Sequence, residues 1–115
     1  MPTDLVNFKP GAEGNIVELH LPETLDSADF DKLNESLLKL LEGRGKQKWI
    51  IDLTAVTYMG SAMLGMLVNM RQQVKAGGGT LLLCGLSKPL MNIFKTCCME
   101  RLFTIVKDRR AAMEL

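Results

Sequence analysis

The sequence predicts an α/β protein with a mixed β-sheet of about five strands and helices packed mainly on one face. A strand, a helix and a second strand follow one another between Lys48 and Cys84, which is the pattern of a right-handed βαβ unit. A hairpin precedes this unit, and a further helix and strand follow it. With 115 residues the chain is long enough for one hydrophobic core, so we predict a single domain over residues 1–115.

The first two strands are predicted at 4–8 and 15–21. The stretches "LVNF" and "NIVELHL" are short runs in which apolar and polar residues partly alternate, as in half-buried strands. Pro10, Gly11 and Gly14 lie between them and favour a turn. We therefore expect an opening hairpin.

An amphipathic helix is predicted at 27–42. Apolar residues recur there at helical spacing, at Phe30, Leu33, Leu37 and Leu40. Asp26 or Ser27 can cap its start, and Gly43 and Gly45 favour its end.

The βαβ unit begins with a strand at 48–53. The run "KWIIDL" is a continuous apolar stretch broken only by Asp52, which is typical of a central strand covered on both faces. A helical pattern follows at 61–76, and the triple glycine at 77–79 favours a helix end and a tight turn. The apolar run "TLLLCGL" then predicts a strand at 80–84.

The last third of the chain predicts one more helix and one more strand. Ser87 can cap a short helix at 88–97, and "LFTIV" indicates an edge strand at 103–106. The tail "KDRRAAMEL" is charged and then apolar, so it is either a terminal helix or a frayed end.

Charge and hydropathy exclude several classes of function. Fourteen Lys and Arg residues against thirteen Asp and Glu residues give a net charge of +1. The chain therefore lacks the excess of positive charge that is typical of proteins that bind nucleic acid or an anionic membrane. No apolar run reaches the roughly 18 residues of a spanning helix, and the first residues lack the pattern of a signal peptide. We therefore expect a cytoplasmic protein without membrane insertion.

The sequence is poor in groups that carry out chemistry. Three cysteines, with Cys97 and Cys98 adjacent, make neither a disulfide framework nor a C-x-x-C metal motif. His20 is the only histidine and lies within a strand pattern. We predict no metal, no cofactor and no catalysis, and the alternative left open is a small hydrolase that uses Ser61 and His20.

Ser61 is a candidate functional residue because it lies where a loop passes into a predicted helix. Serine is favoured there as an N-cap, since its oxygen accepts a hydrogen bond from an unpaired backbone N–H. A phosphoryl group on the same oxygen would bring negative charge to the positive end of the helix dipole. Two interpretations therefore stay open at this point: Ser61 is only the cap of the helix, or it caps the helix and also accepts a phosphate.

Methionines cluster around this serine, at Met59, Met63, Met66 and Met70. Methionine fills irregular gaps in cores and also forms adaptable binding surfaces, so these residues are either core or a partly exposed docking patch. We favour the docking patch. Gly65 lies within the helix, where glycine costs about 1 kcal/mol relative to alanine, and it suggests close approach by another backbone.

The stretch from "WIIDLTAVTYMGSAMLG" to "CCMERLFTIV" resembles the STAS domain of bacterial anti-sigma-factor antagonists. The shared features are a strand ending in "DL", a motif of the type D-S-S/T-G-L-G that opens a helix, a Gly-Gly turn, a strand, and a helix that ends before "RLF". The stretch "ETLDSADFDKLNESL" is similar to the family's first helix and the "LD" before it. The resemblance covers nearly the whole chain.

The resemblance implies a role for each residue of "GSAMLG". Ser61 corresponds to the serine that a partner kinase phosphorylates and a serine phosphatase restores. Ala62 stands for the family's second hydroxyl residue, Met63 for its glycine, and Leu64 and Gly65 match its Leu-Gly. Gly60 replaces the family's aspartate, which leaves Asp26 and Asp52 as nearby acids.

The implied function is that of a phosphorylation-controlled protein-interaction switch, a monomer or weak dimer. Unphosphorylated, it would bind a serine protein kinase that is also an anti-sigma factor, and phosphorylation of Ser61 would separate the two proteins. The residues expected to contact the partner are Asp26, Met59, Gly60, Ala62, Met63, Leu64, Gly65 and Met66. The alternative is a constitutive accessory subunit of a transporter, such as a lipid-transport ATPase, in which no switch operates.

Overall fold

The computed structural model describes residues 5–11, 14–21, 25–42 and 46–115. In chain order the elements are β1 (Val6–Lys9), β2 (Asn15–Leu19), α1 (Ser27–Leu41), β3 (Lys48–Asp52), α2 (Ser61–Ala76), β4 (Thr80–Cys84), α3 (Lys88–Thr96), β5 (Thr104–Val106) and α4 (Arg109–Glu114). A turn of 3-10 helix at Met99–Arg101 joins α3 to β5. Every predicted strand and helix is found within about three residues of its predicted bounds.

The five strands form one mixed sheet in the order β1-β2-β3-β4-β5. β1 and β2 pair antiparallel as a hairpin, whereas β2, β3, β4 and β5 are parallel. Each parallel connection therefore needs a crossover, and α1, α2 and α3 supply one each. The predicted βαβ unit is the β3–α2–β4 part of this series.

Alternation along β3 sends its side chains to two separate cores. Trp49 and Ile51 contact the larger core beneath α1, α2 and α3, while Ile50 belongs to a smaller core on the opposite face. The smaller core contains Ile16, Ile50, Leu82, Cys84 and Ala112. Because Ala112 comes from α4, the C-terminal helix covers the face that the other helices leave open.

Two cations hold α4 against the sheet. The Lys48 ammonium donates hydrogen bonds to the carbonyls of Ala112 and Met113, each at 3.1 Å, near the end of the helix where its carbonyls lack helical partners. At the other end the Arg109 guanidinium binds the Asp52 carboxylate. The tail is therefore a terminal helix, which was one of the two possibilities its sequence left open.

The helix caps agree with the sequence at α1 and differ at α2. Asp26 caps α1 and accepts a hydrogen bond from the amide of Asp29 at 2.8 Å. The expected stops at Gly43 and Gly45 lie outside the described residues. The N-cap of α2 is Gly60, so the prediction that Ser61 caps this helix is wrong by one residue, and Ser61 makes no cap hydrogen bond.

The triple glycine forms the predicted helix end and turn. Gly77 is the C-cap of α2, and Gly78 has a φ of 83°, in the left-handed region that glycine adopts most readily. A Cβ at Gly79 would lie 2.4 Å from the carbonyl oxygen of Gln47, so only glycine fits where the turn passes the start of β3.

The two caps give a matched pair of stability predictions. Asp26→Ala should lower the free energy of unfolding by about 1 kcal/mol, because the amide of Asp29 loses its acceptor. Ser61→Ala should change it by less than about 0.5 kcal/mol, because the exposed Ser61 hydroxyl satisfies no backbone group. Urea titrations of the two variants and the wild type test this, and an equal loss in both variants would contradict the assignment of Gly60 as the cap.

The three cysteines differ in exposure, and this predicts their reactivity. Cys84 is buried in the smaller core, whereas Cys97 and Cys98 are exposed at the end of α3. Burial, with the negative charges of Asp52 and Asp108, raises the pKa of the Cys84 thiol from 9.0 to about 12. We expect an aromatic disulfide reagent to titrate two thiols in the native protein and the third only after unfolding.

The same shift predicts a loss of stability at alkaline pH. The folded protein holds the Cys84 proton more tightly than the unfolded chain does, so this contribution is complete below pH 9.0 and is lost as the pH rises towards about 12. Chemical unfolding at a series of pH values should show a shallower alkaline decline for Cys84→Ala than for the wild type. Identical slopes would show that Cys84 does not carry the effect.

Candidate functional site

Ser61 is the first residue of α2 and is exposed. The first helical hydrogen bond runs from the Leu64 amide to the Gly60 carbonyl at 3.1 Å. The amides of Ser61, Ala62 and Met63 therefore precede the helical ladder and have no acceptor within it. With no acidic residue in the first turn and no side-chain cap, this helix end keeps its positive partial charge uncompensated by its own residues.

Two cavities of about 390 Å³ flank this helix start. The first, the α1–α2 pocket, is lined by Leu21, Leu25, Ser27, Phe30, Tyr58, Met59, Gly60, Ala62 and Met63. The second, the α2–α3 cleft, is lined by Tyr58, Met59, Gly60, Ser61, Leu64, Asn92, Ile93, Thr96 and Cys97. Tyr58, Met59 and Gly60 form the wall between them, so a group attached to Ser61 would stand beside two largely apolar surfaces.

Tyr58 belongs to this wall but was not among the residues predicted from the sequence. This residue is 58% exposed, although most large apolar residues among those described are buried. Exposed tyrosines are frequent anchors of protein interfaces, because the ring supplies contact area and the hydroxyl a hydrogen bond. Its position three residues before Ser61 was the feature of the sequence that could have identified it.

The methionines belong to the core, and the expectation of a partly exposed methionine patch is wrong. Met59, Met63, Met66 and Met70 are 1–7% exposed and pack in the larger core. Their spacing explains this, since residues 63, 66, 70 and 74 fall on one helical stripe that faces the sheet. Met59 and Met63 still form part of the walls of the α1–α2 pocket.

Gly65 also differs from expectation. Apart from its chain neighbours and the adjoining backbone of α2, no atom lies within 4 Å of the point where its Cβ would be, so the predicted close approach of another backbone is wrong. Gly65 and Ala62 are exposed with Ser61 on the outer side of α2. Small side chains here leave the serine accessible to a large partner.

Gly60 has room for the family's aspartate. Its φ of −83° and ψ of 175° suit any residue, and the nearest atom to an added Cβ is the Tyr58 Oη at 4.0 Å. The backbone therefore does not require glycine at this position.

A separate cleft of about 270 Å³, with charged residues in its lining, holds the remaining candidates from the sequence, His20 and Asp52. Arg109 binds both Glu18 and Asp52, and the Asp52 carboxylate also accepts a hydrogen bond from the Thr54 amide at 2.9 Å. His20 lies 3.8 Å from Glu18 in the same cleft. His20 and Ser61 thus line different cavities, and the structure does not bring them together as a hydrolase would require.

Asp52 faces α4 through this ion pair and does not line either cavity beside Ser61. Asp26, the other acid expected near the serine, caps α1 directly before Ser27, which lines the α1–α2 pocket. Within the described ranges no group of three or more His, Cys, Asp or Glu residues could hold a metal ion. In the same ranges no helix is long and apolar enough to cross a membrane.

Comparison with solved structures shows the same fold in proteins described as anti-sigma-factor antagonists. An anti-sigma-factor antagonist (STAS) domain protein from Planctomyces limnophilus superimposes with a TM-score of 0.82 at 18% identity, covering 95% of each chain. A putative anti-sigma factor antagonist from Thermotoga maritima gives a TM-score of 0.78 at 20% identity, covering 98% of this chain and 95% of that one.

A variant of RsbS from Moorella thermoacetica has a TM-score of 0.77 at 16% identity and covers 95% of this chain and 92% of its own. At these identities the similarity concerns the fold. The family model for the STAS domain matches residues 9–112, which is nearly the whole chain. The chain therefore belongs to the STAS domain family.

Proposed function

We propose that this protein is an anti-sigma-factor antagonist that acts as a phosphorylation-controlled interaction switch. Its unphosphorylated surface around Ser61 binds a serine protein kinase that is also an anti-sigma factor. The kinase phosphorylates Ser61, the complex separates, and a serine phosphatase restores the binding state. The protein carries out no catalysis itself.

The observation that carries this proposal is the exposure of Ser61 at a helix start that has no side-chain cap and lies between two largely apolar cavities. An exposed hydroxyl without a structural role can be modified at little cost to the fold. The free amides of the first turn and the helix dipole favour the phosphate once it is attached. The site therefore tolerates both states.

The phosphate changes binding because of where it stands. It adds about −1.5 to −2 charges and three acceptor oxygens to Ser61. A partner that covers the neighbouring cavities would remove those oxygens from water, and an ion buried without a matched partner costs several kcal/mol. The free protein keeps the phosphate hydrated, so the cost falls on the complex.

Binding to a cognate kinase before and after phosphorylation is the direct measurement. The purified kinase with ATP should add one phosphoryl group, located at Ser61 by intact-mass and peptide mass spectrometry. Calorimetric titration should then show affinity for the unmodified protein and a loss of at least about tenfold after phosphorylation. Ser61→Ala should bind and resist the kinase.

Two results would reject the switch. Equal affinity of phosphorylated and unmodified protein would leave the constitutive transporter subunit as the better reading, as would stable association with a membrane ATPase from the same cells. Phosphorylation at another residue, with Ser61 unmodified, would show that Ser61 is not the phosphate acceptor.

Gly60 is the N-cap of α2 and also stands where the family motif has an aspartate. We predict that substitution at this position is tolerated. Gly60→Asp should raise the free energy of unfolding by a few tenths of a kcal/mol, because the carboxylate can accept from the first-turn amides. Gly60→Ala, which adds a Cβ without an acceptor, should lower it. Urea titrations distinguish the two, and destabilisation by both variants would contradict the open geometry at this position. Rates of phosphorylation of the folded Asp variant then show what the carboxylate adds.

A further inference from the structure

Acidic residues are absent from the part of the sequence that surrounds Ser61. The segment from Leu53 to Met99 contains none of the thirteen Asp and Glu residues of the chain, but it contains Arg71, Lys75, Lys88 and Lys95. It comprises the loop after β3, α2, β4 and α3. The near-zero net charge of the whole chain therefore hides a positive region around the candidate site.

Two of these cations stand at the edge of the α2–α3 cleft. Asn92 lines the cleft, and helical spacing places Lys88, four residues before it, and Lys95, three residues after it, beside Asn92 on one stripe of α3. Both lysines are exposed. No described carboxylate lies within salt-bridge distance of either, whereas Lys39 and Arg109 elsewhere have acidic partners.

The floor of the cleft is apolar. Leu64 and Met59 are 4% and 2% exposed, and Ile93 is packed against the same core. An occupant that fits this cleft has an apolar side chain for the floor and negative charges for the lysine stripe. The α1–α2 pocket has the opposite surroundings, because Asp26, Asp29 and Asp31 lie at the start of α1.

We propose that the α2–α3 cleft binds an acidic segment of the partner protein. An apolar side chain of that segment fills the cleft and its flanking carboxylates pair with Lys88 and Lys95. This proposal rests on the proposed switch and adds the chemistry of the surface that the switch controls.

The charge arrangement gives the phosphate a second effect on binding. Ser61 lines the same cleft as Asn92 and Thr96, so a phosphate on it lies in the space that the partner's carboxylates approach. The phosphate repels those carboxylates and competes for the two lysines. Phosphorylation therefore opposes an acidic partner electrostatically as well as by desolvation.

Two synthetic peptides of equal length test the sign of the charge. One has a central leucine and phenylalanine flanked by glutamates, and the other has lysines in place of the glutamates. Backbone amide spectra of the full-length, isotope-labelled protein should shift for Leu64, Ile93 and Thr96 with the acidic peptide. Binding should be roughly tenfold weaker for the basic peptide and should weaken as salt is raised.

Charge reversal in the protein locates the effect. Lys88→Glu with Lys95→Glu should abolish the shifts caused by the acidic peptide. Lys107→Glu with Arg110→Glu makes the same change in net charge at exposed positions around α4, across the sheet, and should leave the shifts intact. Circular dichroism confirms that both double variants are folded before they are compared.

The same variants apply to the kinase. The Lys88 and Lys95 reversal should lower kinase affinity by at least about tenfold, mainly through slower association, and the control reversal should not. Kinase binding that is sensitive to phosphorylation but unaffected by the lysine reversal would overturn the acidic occupant and leave the switch standing. Stronger binding of the basic peptide, or binding of phosphatidylglycerol vesicles in place of the acidic peptide, would also overturn it.

Discussion

The burial of β3 on both faces is the constraint on which the rest of the structure depends. Trp49, Ile50 and Ile51 are each at most 1% exposed, and neighbouring strands pair with β3 on both edges. A strand of this kind cannot lie at a protein surface, because apolar side chains point to both sides of the sheet. One layer of helices covers Trp49 and Ile51, and α4 must cover Ile50.

This constraint also explains the ion pairs at the end of the strand. Asp52 continues the alternation of β3 and therefore points to the α4 side, where it is only 7% exposed. Glu18 is its register partner on β2, so two carboxylates lie side by side. Arg109 binds both, which compensates their repulsion and fixes the first turn of α4. A hydrogen bond from the Gly85 amide to the Lys107 carbonyl holds the chain beside this end of the sheet, directly before α4.

Periodicity predicted the main elements of the fold because burial dictates them locally. The helical spacing of Phe30, Leu33 and Leu37 predicts α1, and the short length of the apolar runs of β3 and β4, with glycines beside them, favours buried strands over helices. The tail was ambiguous because a six-residue helix has little intrinsic stability and depends on its docking. The aspartate within the apolar run of β3 was the available signal, since a buried carboxylate requires a cation, but sequence alone does not pair Asp52 with Arg109.

The place of Ser61 at the start of a helix could be predicted from the sequence, whereas the exposed side chains around it could be predicted less well. The serine at the start of α2 follows from the passage of a loop into a helix, yet its cap lies one residue earlier because Gly60 already has the extended backbone of an N-cap. The methionines were expected to form a partly exposed docking patch, whereas their helical stripe faces the sheet. The exposed features are instead Tyr58 and the lysines of α3, and their arrangement around the cleft depends on how α2 and α3 pack relative to each other.

In the proposed switch, the position of Ser61 would let one modification change binding without changing the fold. In the free protein a phosphate on Ser61 would gain about 0.3–1 kcal/mol from the helix dipole and would remain in water. In the proposed complex the same group would be desolvated beside Tyr58 and the walls of two apolar cavities, at a cost several times larger. The difference would act only on association, since Ser61 contributes no cap and no core contact. A serine one residue earlier would hold the cap with its oxygen, and modifying it would then disturb α2 itself. If Ser61 is the phosphate acceptor, the displacement of the hydroxyl from the cap to the first helical residue separates control of binding from stability of the fold.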